Sequence, residues 1–304
     1  MYRNDWSNTL KHPLFVDVSK QAGISAEGYG HNAIITDINK DGWKDIYVSN
    51  DFIGSDILYI NNKNGTFTNE AKKYLRHQTY NAMGNDVADF NNDGNDDIVT
   101  VDMLPPDNKR WKLTIAGNRY DEFNNTLNVG YEPQYVRNTL QLNNGDGTFS
   151  EIGQASGINA TEWSWAPLFA DFDNDGWKDL YVTNGYYRDY TNLDFINYMN
   201  EYVKQKGRLQ REDVMEIIKE MPASNVVNYI FQNNKATGFQ NKNQDWGINQ
   251  PSNSNGAIYA DLDNDGDLDL VVARQNTAVA VLRNDSESGR GLMISVEGRK
   301  SNRN

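Results

Sequence analysis

The stretch DFDNDGWKD at residues 171–179 decides the fold. Side-chain oxygens stand at Asp171, Asp173 and Asp175, glycine follows at Gly176, and Asp179 closes the stretch. Alternate oxygen ligands followed by glycine describe a loop that wraps a hard divalent cation: alternate side chains fall on one concave side, and glycine permits the sharp turn. Just outside the loop, Leu168-Phe169-Ala170 precedes it and Leu180-Tyr181-Val182-Thr183 follows it. Both flanks read as short strands, so the acidic stretch is a hairpin connection.

The same nine-residue pattern occurs three more times. It stands at Asp37, Asn39, Asp41, Gly42, Trp43 and Asp45; at Asp89, Asn91, Asp93, Gly94, Asn95 and Asp97; and at Asp261, Asp263, Asp265, Gly266, Asp267 and Asp269. Each copy is followed by a further strand ending in Asn-Asn or Asn-Asp, at Asn61, Asn143, Asn233 and Asn284. Glycine turns such as Gly65 and Gly147 then lead to strands starting at Phe67, Phe149 and Phe239. A repeated unit of four short strands predicts an all-β chain built as a β-propeller, because one twisted sheet buries both faces only by packing on neighbours. We expect a partial ring of about four to five blades over residues 1–285.

Two spacings are stretched by insertions placed after second strands, at about 102–137 and about 185–225. The first is polar and aromatic, with Trp111, Tyr120, Phe123, Tyr131 and Tyr135. The second carries apolar residues at helical spacing from Leu193 to Val203 and again from Val214 to Met221, where Pro222 stops the pattern. Segments 1–5 and 15–18 match third- and fourth-strand elements, so the chain is expected to open inside a blade and to be part of a longer protein.

Oxygen-only ligands in a protein cage suit calcium better than magnesium, which demands stricter geometry. The expected ligands are the side chains at positions 1, 3, 5 and 9 of each loop. Position 7 contributes its carbonyl, so Trp43, Asn95, Trp177 and Asp267 enter through main chain only. Up to four Ca²⁺ ions are expected. An EF-hand is excluded, because position 12 is Val48, Thr100, Val182 or Val272 and the flanks are β. An ion-free Asx-rich hairpin is the competing reading of any single copy. Trp43 and Trp177 are expected to pack between blades. Trp163, Trp165, Tyr186, Tyr187 and Tyr190 flank the third loop and read either as a binding rim or as packing against the inserted helices.

Composition narrows the function classes. The 304 residues carry 29 Lys+Arg against 42 Asp+Glu, a net charge of −13, and no Cys. Disulfides, thiolate catalysis and Cys-ligated metals are absent, and a phosphate-backbone partner is disfavoured. No apolar run approaches the ~18 residues of a membrane span. His12, His31 and His77 fall in no zinc spacing. The clustered Asp residues are explained as metal ligands rather than as a glycosidase pair, so no enzyme is expected.

The run FADFDNDGWKDLYVTN at 169–184, preceded by NNGDGTFSEIGQASGI at 143–158, resembles the FG-GAP/VCBS repeat, related to the calcium-binding blades of the integrin α-subunit propeller. The tail RGLMISVEGRKSNRN at 290–304 resembles the opening of an ASPIC/UnbV domain, so 286–304 is expected to start such a segment. Residues 102–144 are similar to the insertion of large surface or secreted members. The resemblance implies calcium between the first two strands of each blade. It also implies adhesion, ligand binding or scaffolding at an extracellular or cell-surface location, outer-membrane-associated or periplasmic. A protein or glycan ligand would be the partner, and a carbohydrate-binding or carbohydrate-active module is the alternative.

Overall fold

The structure is a computed structural model that describes residues 1–114, 120–224 and 226–286. The expected ASPIC/UnbV-like segment lies outside the described residues from 287 onward. A hairpin of β1 (Tyr2–Ser7) and β2 (His12–Asp17) comes first. Next is an antiparallel meander of β3 (Tyr29–Thr36), β4 (Asp45–Asp51), β5 (Ile57–Asn61) and β6 (Phe67–Asn69). A helical turn α1 (Ala71–Tyr74) and a short strand β7 (Gln78–Thr79) lead to β8 (Gly84–Ala88) and β9 (Asp97–Val101).

The first insertion holds α2 (Asn108–Lys112), α3 (Tyr120–Asn128) and β10 (Gln134–Tyr135), which pairs in parallel with β7. The second sheet is completed by β11 (Thr139–Asn143) and β12 (Phe149–Glu151). The third sheet opens with β13 (Ser164–Ala170) and β14 (Asp179–Asn184). The second insertion, α4 (Leu193–Lys206) and α5 (Arg211–Glu220), precedes β15 (Tyr229–Asn233) and β16 (Phe239–Asn241). β17 (Ser254–Ala260), β18 (Asp269–Arg274) and β19 (Ala280–Leu282) form the last sheet, three-stranded among the described residues.

The chain is thus mostly β, in small antiparallel sheets of the β-propeller type. The first strand of each sheet stands against the first strand of the next: β3 by β8, β8 by β13, β13 by β17. Both insertions are helical, not the second alone. The α2 and α3 segments are too short to produce a helical period that stands out from a polar background.

Side-chain alternation explains how the sheets bind one another. Leu180 and Val182 enter the apolar cluster shared with the second sheet, beside Phe90, Val99 and Phe169. Tyr181, between them on β14, turns the other way, to Ile230, Leu270 and Val272. Ile98 packs with Tyr47, Leu58 and Phe149 between the first and second sheets. Each core therefore lies between blades, and β14 is buried at every position. Among the described residues the outer faces of the row are uncovered: Ile35 on β3 is 65% exposed and Ile258 on β17 is 64% exposed.

Gly84 marks the tightest contact between blades. A Cβ there would sit 2.1 Å from the carbonyl oxygen of Trp165, a main-chain atom that has no side-chain freedom to yield. Gly84→Ala is expected to separate β8 from β13 and to cost more than about 2 kcal/mol. Urea unfolding checks this. An unchanged midpoint would mean that the two strands slide apart at no cost.

Candidate metal centres

The four acidic hairpins share one geometry. Position 1 accepts the amide of position 6 in every copy: Asp37 from Gly42 at 2.9 Å, Asp89 from Gly94 at 2.8 Å, Asp171 from Gly176 at 2.8 Å and Asp261 from Gly266 at 3.2 Å. Position 3 accepts the amide of position 5 in three of them: Asn39 from Asp41 at 3.1 Å, Asn91 from Asp93 at 3.1 Å and Asp173 from Asp175 at 3.2 Å. Position 5 accepts the amide of position 7 in all four: Asp41 from Trp43, Asp93 from Asn95, Asp175 from Trp177 and Asp265 from Asp267. Positions 4 and 6 are left-handed throughout, at Lys40, Asn92, Asn174 and Asn264 and at the four glycines. Asn and Gly tolerate this conformation best, and position 4 is Asn in three of the four loops, with Lys40 in the first.

These bonds consume one lone pair of an oxygen and leave others for a cation. In the third loop one oxygen each from Asp171, Asp173 and Asp175 lies within 4.8 Å of the others, and the same holds for Asp261, Asp263 and Asp265 in the fourth. Oxygens around one calcium at about 2.3–2.6 Å are at most about 5 Å apart, so the spacing fits. Asp261 Oδ1 is buried and has no hydrogen-bond partner among the described residues, an orphan that a cation would satisfy. The donor set is hard oxygen only, which also fits. Position 3 is amide rather than carboxylate in the first two loops, at Asn39 and Asn91, so those sites carry one charge fewer.

Asp45, Asp97, Asp179 and Asp269 do not join the converging triads, and the structure gives them a role that spacing alone does not reveal. All are buried, and each holds two backbone amides. Asp179 accepts from Phe172 at 3.0 Å and from Asn233 at 2.9 Å. Asp45 does so from Ile38 and Asn61, Asp97 from Phe90 and Asn143, and Asp269 from Leu262 and Asn284. This carboxylate ties the loop to the end of the third strand. Burial pushes Asp97 and Asp179 up to about 7, and the carboxylates of their own loops push the same way.

The asparagines at the ends of the third strands of the second, third and fourth blades form a latch between blades, whereas Asn61 donates to Lys44 in its own loop. Asn143 Nδ2 donates to the Ile38 carbonyl at 3.0 Å, Asn233 to Phe90 at 2.8 Å and Asn284 to Phe172 at 2.7 Å, in each case reaching the loop of the preceding blade. The same amide groups also donate to their own loops, at Asp96, Lys178 and Leu268. Position 4 adds a link in the other direction: Asn92 donates to Gly176 O, and Asn174 to Asp267 Oδ1 at 2.6 Å. The constant Asn after each third strand was the available sequence signal. Its partner could not be read because it belongs to another repeat.

The tryptophan expectation needs correction. Trp43 is 47% exposed rather than packed between blades. Trp177 is half-buried. The aromatic set flanking the third loop packs chiefly on itself: Trp163 stacks on Tyr186 at 4.4 Å and on Trp165 at 6.4 Å, with Tyr190 edge-on.

A buried acid outside the loops gives the fold a pH dependence. Asp56 accepts the Tyr47 hydroxyl at 2.5 Å and the Asn50 amide at 2.9 Å, and burial pushes its carboxyl up to about 7. Unfolded, it titrates near the ordinary value of about 3.9. The folded state therefore holds the extra proton between these values, and stability falls as pH rises through that window. In chelator, Asp56→Asn is expected to flatten the slope between pH 4 and 7 by of order 4 kcal/mol in total, read from urea midpoints. An identical slope in the variant would assign the titration to other groups.

Residues 37–100 and 127–182 match the FG-GAP-like repeat family, covering the first three acidic loops. No curated protein matches the chain. Among the described residues no helix is long and apolar enough to cross a membrane.

Proposed function

We propose that this chain of FG-GAP-like repeats is a calcium-stabilised, non-enzymatic binding module of an extracellular or cell-surface protein. FG-GAP-like repeats build β-propeller-type modules of the adhesion and ligand-binding kind. The observation that carries the reading is the convergence of three carboxylates within 4.8 Å in hairpins three and four, with Asp261 Oδ1 left unpartnered among the described residues. At such separations like charges repel by roughly 1 to 4 kcal/mol per pair, depending on how well water screens them. A divalent cation converts that repulsion into attraction and fixes the hairpin.

In this reading Asp171, Asp173, Asp175 and Asp261, Asp263, Asp265 hold the two most highly charged sites. Asp37, Asn39, Asp41 and Asp89, Asn91, Asp93 hold the other two. The carbonyls of Trp43, Asn95, Trp177 and Asp267 and the carboxylates of Asp45, Asp97, Asp179 and Asp269 complete the sets. The ion's part is structural: it supplies positive charge and ties a loop whose position-2 carbonyl is already clamped by the following blade. Calcium-filled extracellular modules work at dissociation constants of about 10⁻⁴–10⁻³ M, which suits export from the cytoplasm. Isothermal titration with CaCl₂ tests the reading. Saturable binding of two or more ions supports it, and no heat at millimolar calcium overturns it.

A further inference from the structure

We propose that a cavity between the two insertions binds a neutral saccharide, which deepens the ligand-binding reading above and rests on it. The insertions follow the second strands, whereas the acidic loops join first strands to second, so the cavity sits at the opposite end of the sheets from the metal loops. Its volume is about 590 Å³, inside the roughly 300–1,000 Å³ range of small-molecule sites. Tyr80, Phe123, Tyr135, Trp163 and Tyr190 contribute ring surface to its wall.

The polar part of the wall is built around Arg110. Asp107 caps α2 by accepting the Arg110 amide at 2.8 Å. The guanidinium is then pinned from two sides: Nε donates to Glu162 Oε1 at 2.8 Å, and Nη1 donates to Asp189. Glu162 comes just before β13 and Asp189 just after β14, so one arginine joins the first insertion to the third sheet. Glu162 is buried and held at φ +69°, a conformation a glutamate adopts only under constraint from its surroundings.

Among the described residues, three that line this cavity each keep a buried polar atom without a partner: Arg110 Nη2, Trp163 Nε1 and Gln134 Oε1. Two are donors and one is an acceptor. These atoms are closed to water from the cavity side as well, so a ligand meets them only as the side chains turn toward it. Buried polar groups left unmatched at one place call for a ligand that offers both acceptors and donors. Hydroxyl groups do both, and the C–H faces of a sugar ring lie against aromatic rings. An anion is disfavoured, because Glu162 and Asp189 already outweigh Arg110 and Glu132 adds to the wall. An organic cation would find carboxylates and rings but would leave the Arg110 and Trp163 donors unmet.

The test uses the full chain in millimolar calcium against a panel of neutral mono- to tetrasaccharides, uronate-containing oligosaccharides and choline. Tryptophan fluorescence serves as the screen and calorimetry as confirmation. A neutral saccharide is expected to bind, with Arg110→Lys and Trp163→Phe each weakening it about tenfold or more. Thermal midpoints within a few degrees of the parent establish that the variants fold; if Arg110→Lys fails to, Trp163→Phe alone decides. Preference for uronates or choline, no binding across the panel, or binding indifferent to a folded variant overturns the proposal. Calcium stabilisation that persists without saccharide binding leaves the module reading standing. Saccharide binding without calcium stabilisation removes the metal reading instead.

Discussion

Chelation of divalent cations is expected to lower the thermal midpoint of this chain by about 10 °C or more, and calcium at about 10 mM, roughly 100 times a dissociation constant of 10⁻⁴ M, should restore it. Each site filled at 100 times its dissociation constant contributes about 2.7 kcal/mol, and two such sites about twice that. One kcal/mol moves the midpoint of a domain of 150–250 residues by about 2–4 °C. The loss is expected to be unequal among loops. Asp175→Asn and Asp265→Asn each remove a charge from a triad in which three carboxylates converge within 4.8 Å. The corresponding change at Asp41 or Asp93 starts from a loop with an amide at Asn39 or Asn91. Charge count tunes calcium affinity, so the third and fourth loops should account for most of the stabilisation. Scanning calorimetry with EDTA and with CaCl₂ reads both results. A midpoint indifferent to either reagent would mean that the Asx hydrogen bonds alone carry the hairpins.

Asn233→Ala is expected to be among the most damaging single substitutions away from the apolar cores. Its side-chain amide donates to Phe90 O at 2.8 Å and Lys178 O at 2.9 Å, and its Oδ1 accepts from Ala236 at 2.9 Å. The residue is 2% exposed, so water does not replace what alanine removes. Buried groups left unsatisfied cost about 1–3 kcal/mol each, and the loss of several at once should approach 4 kcal/mol. Asn234, next in sequence, is exposed, and Asn234→Ala should stay within about 0.5 kcal/mol. The pair separates a latch from a mere preference for asparagine in a turn. Equal effects at the two positions would remove the latch. Because Phe90 belongs to the preceding blade's loop, Asn233→Ala should also weaken calcium binding at the second loop, readable by titration.

Much of the fold was legible because it is local. The Gly at position 6, the alternate oxygens at positions 1, 3 and 5 and the run Leu180-Tyr181-Val182 belong to a single hairpin, whose geometry depends on neighbours a few residues away. The helices of the second insertion were legible for the same reason. Those of the first were not: α2 spans only Asn108–Lys112, too short for periodicity to register. The exposed ring of Trp43 was missed because residue type suggests burial, and nothing within the hairpin separates it from Trp177, which makes the same amide bond and is half-buried.

The residues by themselves determined the repeat, the oxygen chemistry of the four loops and the order of strands within each unit, since each rests on contacts inside one short segment. Tertiary structure decided the rest. Asn233 meets Phe90 across 143 residues, and Arg110 meets Asp189 across 79. Such partners are set by which sheets stand side by side, and neither period nor propensity carries that information along the chain.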